Sequence, residues 1–221
     1  MVNILLKPGI FFFFIIQTCQ AQLPVSLEPR HHNVFENPYV RVLDVHVLPG
    51  DTTLFHKHDI PSVFIVLSNA KSGSELISQG AMTNAPVTYG NIWFDGFYTN
   101  SRIHRVWNSD TIEFHVMDVE LLNKAYKEID SPLQQKSIRL LFNEKPVRGY
   151  SCLLNAHSTI NLNERKCPVL VIGINDLNDE VFVNDKLFKQ RGDFIFIPEG
   201  SKSAFINKGT TDAQLAIFEL K

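Results

Sequence analysis

The sequence predicts an all-β protein built from two copies of one β module. Eleven glycines, eleven prolines and seventeen phenylalanines punctuate many short apolar runs within 221 residues. That is the texture of short strands and tight turns, not of long helices. The chain also repeats itself. A shift of 107 residues lays Phe35-Glu36-Asn37-Pro38-Tyr39-Val40-Arg41 over Phe142-Asn143-Glu144-Lys145-Pro146-Val147-Arg148. The same shift carries Thr52 onto Thr159, Pro61 onto Pro168 and Ile65 onto Ile172. A shift of 99 then lays Asn108-Ser109-Asp110-Thr111 over Asn207-Lys208-Gly209-Thr210 and Glu120-Leu121 over Glu219-Leu220.

Residues 1–21 stand apart from both copies. Lys7 is their one charged side chain, Ile10 to Ile16 (IFFFFII) is apolar, and Thr18-Cys19-Gln20-Ala21 follows. This is the shape of a secretory signal peptide cut after Ala21, and the apolar run is shorter than the ~20 residues of a spanning helix. The expectation is an exported protein, periplasmic or secreted, with no integral membrane segment after cleavage; a lipoprotein attached through Cys19 is the alternative. In an oxidising compartment Cys152 and Cys167 are able to pair, and the sequence leaves open whether they do.

The first module spans 22–122 and the second 140–221, with a linker at 123–139. Within and before that linker, Leu122 to Gln135 (LNKAYKEIDSPLQQ) reads as a short helix broken by Pro132. A net charge of −2, with no basic run, gives no electrostatic case for nucleic acid or an anionic membrane surface.

Chemistry enters at Leu54 to Ser68 (LFHKHDIPSVFIVLS). After the turn material of Gly50-Asp51, alternation puts Leu54, His56 and His58 on one strand face and Thr53, Phe55 and Lys57 on the other. The two imidazoles start about 7 Å apart and can converge on one ion. Alone they are half a metal site, and a polar cavity wall or exposed surface fits them too. Val63 to Leu67 reads as the next strand.

The stretch from Gly192 to Asn207 (GDFIFIPEGSKSAFIN) resembles the second sequence motif of the cupin superfamily: a Gly, a strand, a Pro-x-Gly turn, a His two residues on, and an Asn four beyond that. Ser203 stands where the His belongs. In the first copy, Pro49-Gly50 followed by His56 and His58 is similar to the first cupin motif, and His104 with Asn108 supplies the end of the second. The resemblance covers nearly all of the chain beyond residue 21. It implies a bicupin, two jelly-roll β-barrels in tandem, with a degenerate second domain.

The resemblance further implies that His104 faces His56 and His58 across the first barrel. Three neutral imidazoles suit a divalent transition metal such as Fe, Zn, Mn or Ni, and three protein ligands with open positions is the arrangement of a catalytic site. There are departures. The usual cupin glutamate, four or five residues after the second His, is replaced by Ser62 and Val63, and no Pro-x-Gly turn precedes His104. Gly90 to Arg102 is three residues longer than its counterpart and is expected at the barrel mouth, where Trp93 and Tyr98 would meet a ligand. His46, alternating with Asp44 and Leu48, is expected to line the same cavity.

In the second copy the ligand positions fall on Asn163, Arg165 and Ser203, so no metal is expected there. An inward Arg165 would need a partner or an anionic ligand. His31 and His32 read as solvated, His115 as an ordinary strand residue and His157 as a turn residue. Two functions follow. One is an exported metalloenzyme, an oxygenase, lyase or isomerase acting on a small molecule, with catalytic groups beyond the ligands unassigned. The other is a non-catalytic bicupin binding a small ligand such as a sugar or phenolic. A homodimer is an expectation from the family.

Overall fold

The computed structural model describes residues 22–77, 81–83, 87–177 and 180–221; the expected signal segment lies outside them. The chain has the all-β architecture expected of it, two cupin-type jelly-roll barrels in tandem. The first barrel contains β1 (Leu23–Pro24), β2 (His31–Glu36), β3 (Val40–Val47), β4 (His56–His58), β5 (Ser62–Val66), β6 (Ser72–Leu76), β7 (Ala81–Thr83), β8 (Ile92–Asp95), β9 (Arg102–Asn108) and β10 (Phe114–Leu121). The second contains β11 (Ile138–Asn143), β12 (Val147–Leu154), β13 (Ser158–Leu162), β14 (Val169–Gly173), β15 (Val181–Val183), β16 (Lys186–Phe188), β17 (Phe194–Ile197), β18 (Ser203–Asn207) and β19 (Ala213–Leu220).

Each barrel is two sheets. In the first they run β1-β4-β9-β6-β7 and β2-β3-β10-β5-β8; in the second, β13-β18-β15-β16 and β11-β12-β19-β14-β17. The repeat is therefore structural. The shift of 107 carries β3 onto β12 and β5 onto β14, and the shift of 99 carries β10 onto β19.

The β2-β3-β10-β5-β8 sheet of the first barrel and the β11-β12-β19-β14-β17 sheet of the second pack back to back, and this is why their central strands lack a solvent-exposed face. Every residue of β10 is buried. Phe114 and Val116 point into the first barrel with Leu43, Val45 and Val47. Met117, Val119 and Leu121 point the other way, into a seam shared with Leu170, Ile172 and Phe218 of the second barrel. The seam has a pseudo-twofold character. Phe35 of β2 lies 5.8 Å from Phe196 of β17, and the equivalent Phe142 of β11 lies 6.2 Å from Phe94 of β8.

Inside each barrel sits one equivalent ion pair, Arg41–Glu120 at 2.5 Å and Arg148–Glu219 at 2.9 Å. Glu219 also accepts from the Tyr150 hydroxyl and from Arg165, each at 2.6 Å. Arg165 thus has an internal partner, and its charge is met without an anionic ligand.

No helical linker is present, contrary to expectation. Among the described residues the only helical element is a single 3-10 turn, Val25–Leu27, and no helix is long and apolar enough to cross a membrane. The backbone between the barrels is taken up by tertiary partners. Leu122 N–H donates to Tyr39 O, Asp130 O accepts from Arg148, and Ser131 O accepts from Arg165. Pro132 removes a donor that a helix would need. Cys152 and Cys167 are separate buried thiols, and burial pushes each up to about 12.

Phe218 is fully buried in the seam. Phe218→Ala should cost about 3–5 kcal/mol by transfer and cavity effects. Urea unfolding should give one cooperative transition, displaced as a whole; two transitions with only one displaced would show that the seam does not couple the barrels.

Candidate metal centre

The first barrel brings His56, His58 and His104 together because of one extra residue. Thr52 lies opposite Trp107, and His56 lies opposite His104. Four steps along one strand match three along the other, so residues 53–55 hold a bulge, a device that re-aims side chains. Thr53 stabilises it twice: its N–H donates to Val106 O, and its Oγ1 accepts from Val106 N–H. The result departs from simple alternation. Thr53, at 3% exposure, shares the interior with His56 and His58, whereas Leu54 is 52% exposed. In the second barrel Ser158–Leu162 runs residue for residue against Asn207–Ser203, so Leu162, not Asn163, faces Ser203.

The three rings converge. One ligand atom from each of His56, His58 and His104 lies within 4.8 Å of the others, and the Nε2 atoms of His58 and His104 are 3.0 Å apart. Two ligands each about 2 Å from one ion stand roughly 3 Å apart. A backbone carbonyl fixes the tautomer of His56. His56 Nδ1 donates to Leu54 O at 2.9 Å, leaving a buried Nε2 with no partner. His58 Nδ1 lies 3.5 Å from Oδ2 of Asp118, a carboxylate without a hydrogen bond of its own. An imidazole backed by a carbonyl or carboxylate presents its other nitrogen to an ion. The residues present therefore fit a metal.

Burial keeps the rings neutral. It pushes His56 down to about 4, aided by the nearby His31, and His104 down to about 2, aided by His56. His58 is held well below the usual histidine range by burial and by His104. Burial, with the charge of Glu120, holds Asp118 well above the carboxylate range.

His31 was not legible as part of this site. It is buried and not solvated, with its ring 4.7 Å from that of His56. Its Nδ1 meets Glu28 Oε2 at 2.7 Å, and Glu28 also accepts from the backbone N–H groups of Arg30 and Leu54. Burial alone would raise the Glu28 carboxyl, but these hydrogen bonds bring it down to about 2. His32, its neighbour, is exposed. The available signal was the Glu28-x-x-His31 spacing, which means little without knowing that β2 pairs beside β3.

The triad opens into a cavity of about 350 Å³, walled by Val45, Val47, Phe64, Trp93, Phe114 and Val116, with Arg102 among its polar groups. Trp93 stacks on Phe64 at 5.0 Å. The expectations for His46 and Tyr98 fail: neither lines this cavity. His46 projects from the opposite face of β3, and Tyr98 is 59% exposed beyond Phe94. Phe97 takes the inner place in that loop, stacked on His58 at 5.5 Å, with the Arg102 guanidinium 5.2 Å from the centre of its ring.

No family profile and no curated protein sequence matches the chain. Solved structures do match in shape. YhhW from Escherichia coli superposes with a TM-score of 0.62 at 12% identity, covering 88% of this chain and 89% of that one. AerE from Microcystis aeruginosa gives 0.57 at 11% identity, covering 88% and 98%. A salicylate 1,2-dioxygenase from Pseudaminobacter salicylatoxidans gives 0.55 at 11% identity, covering 82% and 71%. These neighbours are cupin-fold proteins, and likeness at such identities establishes the fold.

In the metal-free protein the buried histidines bind fewer protons than they do unfolded, where they titrate near ~6.5. Their stabilising contribution is complete above that value and is lost as pH falls towards about 4. The Tm of metal-free protein should drop from pH 7.5 to pH 5, and His104→Gln should flatten the drop. An unchanged profile would place the rings in solvent. Asp118 has the opposite sign, because a raised carboxyl loses stability as pH rises. Asp118→Asn should therefore raise the metal-free Tm at pH 7.5 while weakening metal binding about 10–100-fold by titration calorimetry.

Proposed function

We propose that this chain is a metal-dependent cupin enzyme acting on a small, largely apolar molecule, with His56, His58 and His104 as metal ligands. The observation behind this is the convergence of three imidazoles, one of them oriented from behind by Leu54 O, whose open side faces a cavity of about 350 Å³. A divalent transition ion held there supplies a Lewis acid with open coordination positions. The stacked Phe64 and Trp93 form a flat wall suited to an aromatic ring. Arg102 lies at the same cavity and pairs with Asp95; its guanidinium suits an anionic end of the substrate. His31, held by Glu28, places a further imidazole beside the triad. One structural neighbour is a salicylate 1,2-dioxygenase, and another structure of it is described as adducts with gentisate. Both favour a hydroxylated aromatic acid as the substrate class and oxygenase chemistry over lyase or isomerase chemistry.

We propose in addition that the second module is a degenerate cupin holding no metal, with Leu162 and Ser203 where the first has histidines, and that it serves to cover the seam. The chain is read as an exported protein with a signal at 1–21. A homodimer would have to use a face other than the seam, which the two barrels already occupy between themselves. The second functional reading, a non-catalytic bicupin binding a phenolic or sugar, is favoured by the absence of a carboxylate ligand at Ser62 and Val63.

Metal analysis and oxygen uptake separate these readings. Protein prepared without chelator should retain a transition metal, His56→Ala should lose an equivalent, and iron-loaded protein should consume oxygen with salicylate or gentisate. Retained metal with tight aromatic binding but no turnover would select the non-catalytic reading. Absence of bound metal would end the enzyme reading.

A further inference from the structure

A second group of ligating side chains lies outside the cavity. On the seam-side face of β3 stand Asp44 and His46, two residues apart, and His115 of β10 lies directly opposite His46 in the strand register. One ligand atom from each lies within 4.8 Å of the others. His115 Nε2 is 2.7 Å from Asp44 Oδ1, and His46 Nε2 is 3.1 Å from Asp44 Oδ2. The rings of His46 and His115 stack with centroids 4.3 Å apart. Behind His46, Glu113 Oε1 lies 3.1 Å from Nδ1.

We infer that Asp44, His46 and His115 form a second binding site for a divalent first-row transition ion, independent of the cavity triad. Two imidazoles and one carboxylate form a donor set that such ions favour, with positions left for water. Both Nε2 atoms already aim at the carboxylate, at the ~3 Å spacing that neighbouring ligands of one ion adopt. Glu113 lies behind His46 at Nδ1, a carboxylate backing of the kind that orients a ligating imidazole. The side chains of Asp44 and His46 are 27% and 29% exposed, so an ion can reach them from solvent, while His115 at 10% anchors the site.

The site would tie β3 to β10 at the margin of the seam. A Cβ placed on Gly192 of the second barrel would come within 3.4 Å of His115 Cε1, which shows how closely that barrel abuts the ring. The repeat does not carry these residues across: Ser151, Leu153 and Gln214 occupy the equivalent positions. An ion here would stabilise the folded chain by mass action, without a part in the chemistry of the cavity.

The test is stoichiometry, read without any activity. Metal-free protein titrated with Zn²⁺ at pH 7.5 should bind two equivalents, and Co²⁺ should give two resolvable visible absorption steps. His56→Ala/His104→Ala should still bind one equivalent. Asp44→Asn/His46→Gln, made in otherwise unaltered protein, should also bind one and keep the triad's step. No equivalent bound by the triad variant, or no loss of an equivalent from the parent value in Asp44→Asn/His46→Gln, would overturn the proposal. The triad variant and the second-site variant are independent, so failure of the cavity reading and failure of this one give different results.

Discussion

Strand β10 has no solvent-exposed face, and the molecule is organised by that constraint. Its eight residues, Phe114 to Leu121, are all buried. Alternate side chains enter the first barrel and the seam with the second, so a slip of one residue would exchange the two sets. Phe114, Val116 and Asp118 would leave the cavity, and Met117, Val119 and Leu121 would leave the contact with Leu170, Ile172 and Phe218. Both the ligand cavity and the union of the barrels are therefore held in register by one strand. β19 plays the same part in the second barrel, with Leu215 and Ile217 facing its interior and Ala216, Phe218 and Leu220 facing the seam.

Against that shared scaffold, the two barrels differ at one backbone step. The bulge at residues 53–55 gives the first barrel an offset that β13 and β18 lack. It turns His56 and His58 inward beside Thr53 and sends Leu54 to solvent. In the second barrel the uninterrupted ladder turns Leu162 inward, and the interior is closed with Tyr150, Phe188 and Phe205. Serine in place of histidine at position 203 is thus only part of the difference between the halves. Restoring three histidines at Asn163, Arg165 and Ser203 would not rebuild the site, because Asn163 does not face Ser203.

Much of this arrangement was legible. The offsets of 107 and 99 are strand equivalences, and the pairing of His56 opposite His104 is the one that the motif resemblance implied. What escaped depended on backbone detail or on distant partners. Strict alternation put Leu54 with the histidines, since a bulge leaves no mark in a hydrophobic pattern. His46 was placed in the cavity because it alternates with Asp44, yet their shared face is the seam side, where Val40 and Val42 also point. The helix expected after Leu122 had adequate local propensity. It lost to hydrogen bonds offered by Arg148 and Arg165, whose positions only the folded barrel sets. His31 was unreadable for the same reason: its partner His56 belongs to the other sheet.

The absence of a carboxylate ligand takes on a different meaning beside these second contacts. With Ser62 and Val63 where the family pattern has glutamate, three neutral imidazoles would leave a divalent ion's charge uncompensated at the ion itself. The chain places carboxyl groups one step further out. Asp118 lies behind His58, and Glu28 lies behind His31, whose ring meets that of His56. An ion at the triad would lower the Asp118 carboxyl by direct attraction, converting a buried group that is costly to ionise into one that stabilises the ion. The free face of the ion would keep its positive field and the cavity its affinity for an anionic, flat molecule. Moving the carboxylate outward in this way would trade affinity for an ion at the triad against that ion's electrophilic strength.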